Sequence, residues 1–189
     1  MKRIPYRSLG ELLRRELTED EDPGTTALIQ RVRRARQRRE FTRSEFLAMC
    51  RWKTPRSVHQ CRGNAPSSVQ RAARSVFATG SERKRLEALC RLKGVGIPTA
   101  SAILTLVDPR RYGVIDIRVW QLLLAFGAVR GNPSGAGFRL SHWMEYLRQL
   151  RLHAKRLGVG VRAVEYSLFL YHQRMQSGTL YRRPRGTIK

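Results

Sequence analysis

The chain has 189 residues and carries 38 lysines and arginines against 14 aspartates and glutamates, a formal net charge of +24 at pH 7. A chain of this length can bury a sizeable core. No apolar run approaches the ~20 residues of a membrane-spanning helix, which argues against a membrane protein. The excess of positive charge is typical of proteins that bind a polyanion. We expect binding to such a polyanion to weaken steeply as salt rises. A GC-rich coding sequence would also favour arginine over lysine, but it would not explain the excess of charge.

The cysteines and the N-terminus give expectations about the compartment. Cys50, Cys61 and Cys90 are an odd number at wide spacing, which favours reduced thiols over a disulfide framework. Three thiols are also too few for a cluster held by four cysteines. The first residues contain no apolar signal-peptide core. We therefore expect a cytoplasmic protein without an iron–sulfur cluster, and we expect it to be a monomer.

Helical signals dominate the chain, and almost no segment shows the alternating pattern of a strand, so we predict an all-α fold. Thr42 and Glu45 form a capping-box pattern that begins one helix, and Ser67 with Gln70 predicts the start of another. The chain divides into three predicted parts: an acidic and arginine-rich helical segment at 1–40, a main helical domain at 41–175 and a basic tail at 176–189.

The main domain contains a Gly-Val-Gly sequence at 94–96, called the glycine turn below, between two amphipathic helices. Ser81 is the predicted cap of the first helix, and Pro98 suits the first turn of the second. Gly94 and Gly96 permit the positive φ angles and close approach that a tight turn over a phosphate needs. Backbone N–H groups at the start of the second helix can bind that phosphate. Taken alone, the same pattern also suits an ordinary helical hairpin.

Asp116 is a carboxylate in an otherwise apolar run, directly before a predicted helix. Aspartate is a favoured N-cap, and the helix dipole keeps a capping carboxylate ionised. An ionised carboxylate can also stabilise developing positive charge and activate a water molecule, so capping and catalysis are compatible. Between residues 88 and 164 the other acids are Asp108, in a turn, and Glu145, on a polar helix face. Among these three residues, Asp116 is therefore the best candidate for a catalytic carboxylate.

Residues 89–96, LCRLKGVG, followed by Thr99 and Ala100, resemble the helix-hairpin-helix of the DNA glycosylase superfamily, which includes endonuclease III and 8-oxoguanine glycosylase. Asp116 stands at the distance beyond the hairpin where that superfamily has a characteristic aspartate. The close resemblance spans 89–120. It implies a two-lobed helical fold, with the helix-hairpin-helix at 81–107 and a catalytic loop at 108–120. It also implies that Asp116 assists hydrolysis of the N-glycosidic bond of a flipped nucleotide.

The resemblance also assigns binding residues. It implies double-stranded DNA as the partner of a nucleoid-associated protein, with DNA-backbone contacts from Lys93, Gly94, Val95, Gly96, Thr99 and Arg118. Lys93 stands where the family usually has proline, and Arg118 where it often has histidine. The carbonyl oxygens of Cys90, Leu92 and Val95 are implied to hold a monovalent cation, Na⁺ or K⁺, and we expect no other cofactor.

Pro98 is the main departure from the family pattern. Members that also cleave the strand carry a lysine there, which attacks the sugar as a Schiff-base nucleophile, and proline has no amine for that step. The chain therefore resembles a monofunctional glycosylase without lyase activity. Lys53 is the alternative amine if strand cleavage occurs.

Trp52, between Arg51 and Lys53, is a second kind of candidate. An aromatic residue among cations can stack on an extruded base or fill its gap in the duplex. The other interpretation is a buried tryptophan with exposed neighbours.

The predicted function is excision of a damaged or modified DNA base, and the sequence does not indicate which base. A non-catalytic DNA-binding protein that uses the same hairpin is the alternative. A structure-selective binder of RNA or DNA junctions is a third interpretation.

Overall fold

The computed structural model describes residues 4–176, and within that range the chain forms ten α-helices and no strand. The predicted all-α class is confirmed. The predicted basic tail, apart from Gln176, lies outside the described residues. The helices are α1 Leu9–Glu16, α2 Pro23–Arg38, α3 Arg43–Lys53, α4 Val58–Cys61, α5 Pro66–Ala78, α6 Glu82–Cys90, α7 Ile97–Val107, α8 Ile117–Ala125, α9 Leu140–Leu157 and α10 Val161–Met175.

The helix starts confirm one sequence prediction and correct another. The Thr42 hydroxyl accepts from Glu45 N at 3.2 Å, and the Glu45 carboxylate accepts from Thr42 N at 2.7 Å, so the predicted capping box begins α3. The predicted start at Ser67 is wrong, because Pro66 is the first residue of α5 and Ala65 is its N-cap. The fixed φ of proline suits the first helical position, where its missing N–H costs nothing.

The most deeply buried helix is α7, in which every residue from 99 to 107 is buried. It packs against α2, α3, α6 and α9, and a helix with buried residues on all sides belongs in the middle of a core. The largest fully buried side chains of the core are Trp120, Trp143, Tyr146, Phe41 and Phe46. Because α7 begins directly after the glycine turn, this core fixes the position of that turn.

The segment between α1 and α2 contacts α10 through Thr18 and Glu21. Glu21 pairs with Arg162, with a 3.0 Å distance from Oε1 to Nη2, and Thr18 N donates to Ser167 Oγ at 2.9 Å. Asp22 caps α2 by accepting from Thr25 N at 2.8 Å.

Within residues 4–176, no helix combines the length and the apolarity needed to cross a membrane.

Candidate functional site

Asp116 is the N-cap of α8, as its position in the sequence predicted. Its Oδ1 accepts from Arg118 N at 3.0 Å, and its Oδ2 lies 3.0 Å from Lys53 Nζ. Both the Asp116 and the Lys53 side chains are 19% exposed. The carboxylate is therefore oriented by an amide and an ammonium group, and it still reaches solvent.

Asp116 and Lys53 line one cavity of about 650 Å³. Gly96 and Pro98 at the start of α7 form part of its wall, and the loop before α9 contributes residues 134–138. Pockets of about 300–1,000 Å³ accommodate small organic ligands, so this cavity has room for one nucleotide. The structure thus brings together a carboxylate, an amine and the start of a helix, which come from three separate parts of the sequence.

Three buried side chains hold the segment that leads to Asp116. Glu165 Oε2 accepts from Val114 N at 3.2 Å, and Tyr146 donates its hydroxyl to Val114 O at 2.7 Å. Ser101 Oγ accepts from Ile115 N at 3.0 Å. Burial raises the pKa of Tyr146 well above its usual value, so its hydroxyl stays a hydrogen-bond donor. The backbone that presents Asp116 is therefore fixed from α7, α9 and α10.

Sequence reasoning missed these three residues, although one signal for Glu165 was present. Glu165 lies in the otherwise mainly apolar and aromatic run of α10, where a carboxylate needs a partner if it is buried. Its partner is Arg162, which also pairs with Glu21. These two carboxylates raise the pKa of Arg162 against the opposing effect of burial, so the guanidinium stays charged.

Trp52 is held against this charged network. Its indole N–H donates to Thr25 Oγ1 at 2.9 Å, and the Arg162 guanidinium lies 5.5 Å from the centre of its ring system. Trp52 is partly buried and packs against the core, and it is not among the residues that line the Asp116 cavity. Of the two candidates from the sequence, Lys53 therefore lines the cavity, whereas Trp52 packs against the core outside the cavity lining.

The glycine turn is tightly packed at its first residue. Gly94 has φ +76°, and a Cβ there would lie 2.8 Å from Gln60 Cβ and 2.9 Å from Cys61 N. Any other residue would be strained and would clash with α4. Asn64, which follows α4, hydrogen-bonds the backbone of the turn and was not identified from the sequence.

The prediction of a positive φ at Gly96 is wrong. Gly96 has φ −92° and is the N-cap of α7, a conformation open to other residues. A Cβ at Gly96 would meet only Pro98 Cδ, at 3.9 Å. The absence of a side chain here leaves open space outside the turn, and it does not relieve backbone strain.

Backbone donors at the start of α7 are available to a ligand. The N–H groups of Gly96, Ile97 and Thr99 make no hydrogen bond within the described residues, whereas Val95 N donates to Leu92 O at 3.1 Å. The side chain of Lys93 is exposed, and Thr99 is buried. Gly96 is exposed and Ile97 is partly buried, so of the three residues these two are the more accessible to a ligand outside the protein.

Arg118 is the second residue of α8, and its guanidinium reaches the residue that follows α10. It hydrogen-bonds Gln176 and lies 5.7 Å from the centre of the Phe169 ring. The predicted contact residues Lys93 and Arg118 are both absent from the lining of the Asp116 cavity. They lie on elements that flank it.

The predicted cation-binding carbonyls belong to residues between the end of α6 and the glycine turn. Leu92 O accepts one hydrogen bond, from Val95 N, and within residues 4–176 the carbonyls of Cys90 and Val95 accept none from the backbone. Oxygen atoms of this kind fit a hard cation. Burial and Glu87 raise the pKa of the Cys90 thiol to about 11, so this thiol stays protonated and is not a ligand.

No family model, no curated protein and no solved structure matches the chain. A functional assignment therefore rests on the geometry of these residues.

Proposed function

We propose that the protein is a DNA glycosylase that flips a damaged or modified nucleotide and hydrolyses its N-glycosidic bond with the help of Asp116. The observation that carries the proposal is the position of the Asp116 carboxylate, 19% exposed in a cavity with room for one nucleotide, beside the free N–H groups of α7. The sequence resemblance described above supports the same assignment.

DNA binding begins at the glycine turn in this account. The N–H groups of Gly96, Ile97 and Thr99 and the ammonium of Lys93 bind a backbone phosphate next to the target nucleotide. A monovalent cation on the carbonyls of Cys90, Leu92 and Val95 would add positive charge beneath the turn. The net charge of +24 supplies the remaining, sequence-independent attraction to DNA.

The chemical step takes place in the cavity. The extruded nucleotide places its sugar near Asp116, and the bond between C1′ and the base nitrogen breaks as positive charge develops on the sugar. The ionised Asp116 stabilises that charge and accepts a proton from the attacking water. Lys53 and the amide of Arg118 orient the two carboxylate oxygens. The fold would have two lobes with this cavity between them.

The proposal is tested by base release from a panel of duplexes, each with one oxidised, alkylated, deaminated or mismatched base. Wild type and Asp116→Asn are assayed side by side, and alkali then cuts every abasic site. Asparagine is as good an N-cap as aspartate, so the variant keeps the start of α8. We expect wild type to release the base from at least one duplex and the variant to release none.

Two outcomes contradict the proposal. Release by Asp116→Asn at the wild-type rate would exclude Asp116 as the catalytic group. Tight, salt-sensitive DNA binding without release from any duplex would favour the alternative of a non-catalytic DNA-binding protein.

A further inference from the structure

Lys53 has no role in hydrolysis beyond orienting Asp116, yet its position is unusual. It is the last residue of α3, 63 positions before Asp116, and its ammonium nitrogen lies 3.0 Å from the Asp116 carboxylate. Its side chain is 19% exposed, so the nitrogen sits within the cavity wall. The amine that Pro98 cannot provide at the start of α7 is thus provided from another helix.

The product of the proposed function is an abasic site, whose sugar opens to an aldehyde at C1′. A primary amine condenses with an aldehyde to form a Schiff base. We propose that Lys53 forms a Schiff base with C1′ of an abasic site in this cavity and so gives the protein a strand-cleaving lyase activity. The location of that chemistry rests on the proposed function.

The steps balance without an additional reagent. Lys53 Nζ passes a proton to the adjacent Asp116 carboxylate and attacks C1′, and Asp116 returns this proton to the former carbonyl oxygen, which leaves as water when the protonated imine forms. Asp116 then accepts a proton from C2′, and the electron pair expels the 3′ phosphate and breaks the C3′–O bond. Water hydrolyses the imine, which frees Lys53 and leaves an unsaturated aldehyde on the 5′ fragment.

The other described lysines do not meet these conditions. Lys84 and Lys155 are exposed on α6 and α9, and neither lines the cavity. Lys93 directly precedes the glycine turn, and its exposed side chain does not line the cavity either. Within residues 4–176, Lys53 is the only lysine that reaches the cavity of Asp116. Under this proposal the strand is cut through Lys53, whereas the lack of an amine at Pro98 taken alone predicts an intact strand.

The test uses a duplex with one abasic site made beforehand by a separate uracil glycosylase, so it requires no base release by this protein. Sodium borohydride is added to reduce any imine to a stable amine that links protein to DNA. We expect a covalent complex with wild type and with the control Lys155→Arg. With Lys53→Arg, which keeps the positive charge beside Asp116, the yield falls about tenfold or more.

The attachment site is also read directly in the wild-type protein. Trypsin digestion and mass spectrometry should place the reduced sugar on the peptide of residues 52–56, because a modified Lys53 no longer directs cleavage. This readout decides the question even if Lys53→Arg does not fold. Absence of a covalent complex, attachment elsewhere, or an undiminished yield with folded Lys53→Arg would overturn the proposal.

The two proposals fail in different ways. Base release from a modified duplex without trapping on the abasic duplex would retain the glycosylase and refute the role of Lys53. Trapping at Lys53 without release from any modified duplex would retain the role of Lys53 and refute the glycosylase.

Discussion

Asn64 binds both backbone polar groups of Lys93. Its side-chain oxygen accepts from Lys93 N at 2.9 Å, and its side-chain nitrogen donates to Lys93 O at 2.9 Å and to Cys61 O at 2.8 Å. Asn64 is only 6% exposed, so its amide has been withdrawn from water and depends on these partners. The residue before Gly94 is thereby fixed to the end of α4, and the glycine turn is held in place by one side chain.

Asn64→Asp is expected to loosen the turn. Aspartate accepts hydrogen bonds but donates none when ionised, so two carbonyl groups lose their donor and face a carboxylate instead. We expect urea unfolding to show that the free energy of unfolding falls by about 2 kcal/mol. DNA affinity, measured by fluorescence anisotropy, should also fall. Gln70→Glu, an exposed change of the same charge on α5, is the control. Equal effects of the two changes would contradict the role of Asn64.

Alanine substitutions at three glycines should distinguish backbone strain within the fold from loss of the open space where a phosphate would bind. Gly94→Ala is expected to destabilise the fold strongly, because φ is +76° and the Cβ would meet α4. Gly127→Ala is the control for φ alone, since its φ is +66° and nothing lies within 4 Å of the added Cβ. Gly127→Ala should lower the free energy of unfolding by about 1 kcal/mol. Gly96→Ala should leave the melting temperature unchanged and weaken DNA binding, because its Cβ would occupy the space next to the free amides. Unchanged binding by Gly96→Ala would refute a phosphate contact there.

Ser101→Ala should disturb the position of Asp116, and so slow base release, without weakening DNA binding. The Ser101 hydroxyl is fully buried, accepts from Ile115 N and donates to Pro98 O at 2.8 Å. Its removal leaves a buried N–H unpaired, which costs about 1–3 kcal/mol. We expect a slower single-turnover rate of base release at unchanged DNA affinity. Ser75→Ala, which removes an exposed hydroxyl bond on α5, should change neither quantity.

Glu82 should make stability dependent on acid pH. It accepts from Tyr112, Arg151 and Arg111. The hydrogen bonds from Tyr112, Arg151 and Arg85 lower the pKa of its carboxyl against the opposing effect of burial. A carboxyl with a lowered pKa stabilises the fold above the unfolded-state pKa of about 4.3, and this contribution is lost as the pH falls through the folded-state value.

Glu82→Gln should therefore lower the melting temperature at pH 7 and flatten its fall in acid. Glu87→Gln is the control on the same helix, because Glu87 is 46% exposed and its ion pair with Arg83 is weak. An acid profile of Glu82→Gln that matches wild type would contradict this account.

The sequence was sufficient where structure depends on neighbours in the chain. The capping pattern at Thr42 and the N-cap at Asp116 are local features, and both are present. The contacts that complete the site join distant positions: 63 residues separate Lys53 from Asp116 and 51 separate Glu165 from Val114. Such pairs depend on how the helices pack, and no periodicity along the chain encodes them. The error at Gly96 has a related cause, since a glycine pattern indicates the turn but not which glycine carries the positive φ.

The most direct test of the central claim separates binding from chemistry at Asp116. Once a duplex that loses its modified base has been found, its affinity for the protein and its single-turnover rate of base release are measured with wild type and with Asp116→Asn. The account predicts a rate reduced by about a hundredfold or more, with affinity equal to or above wild type, because a negative charge has been removed from a DNA-binding cavity. An unchanged rate, or a rate that falls only in proportion to lost affinity, would contradict the claim that Asp116 performs the chemistry.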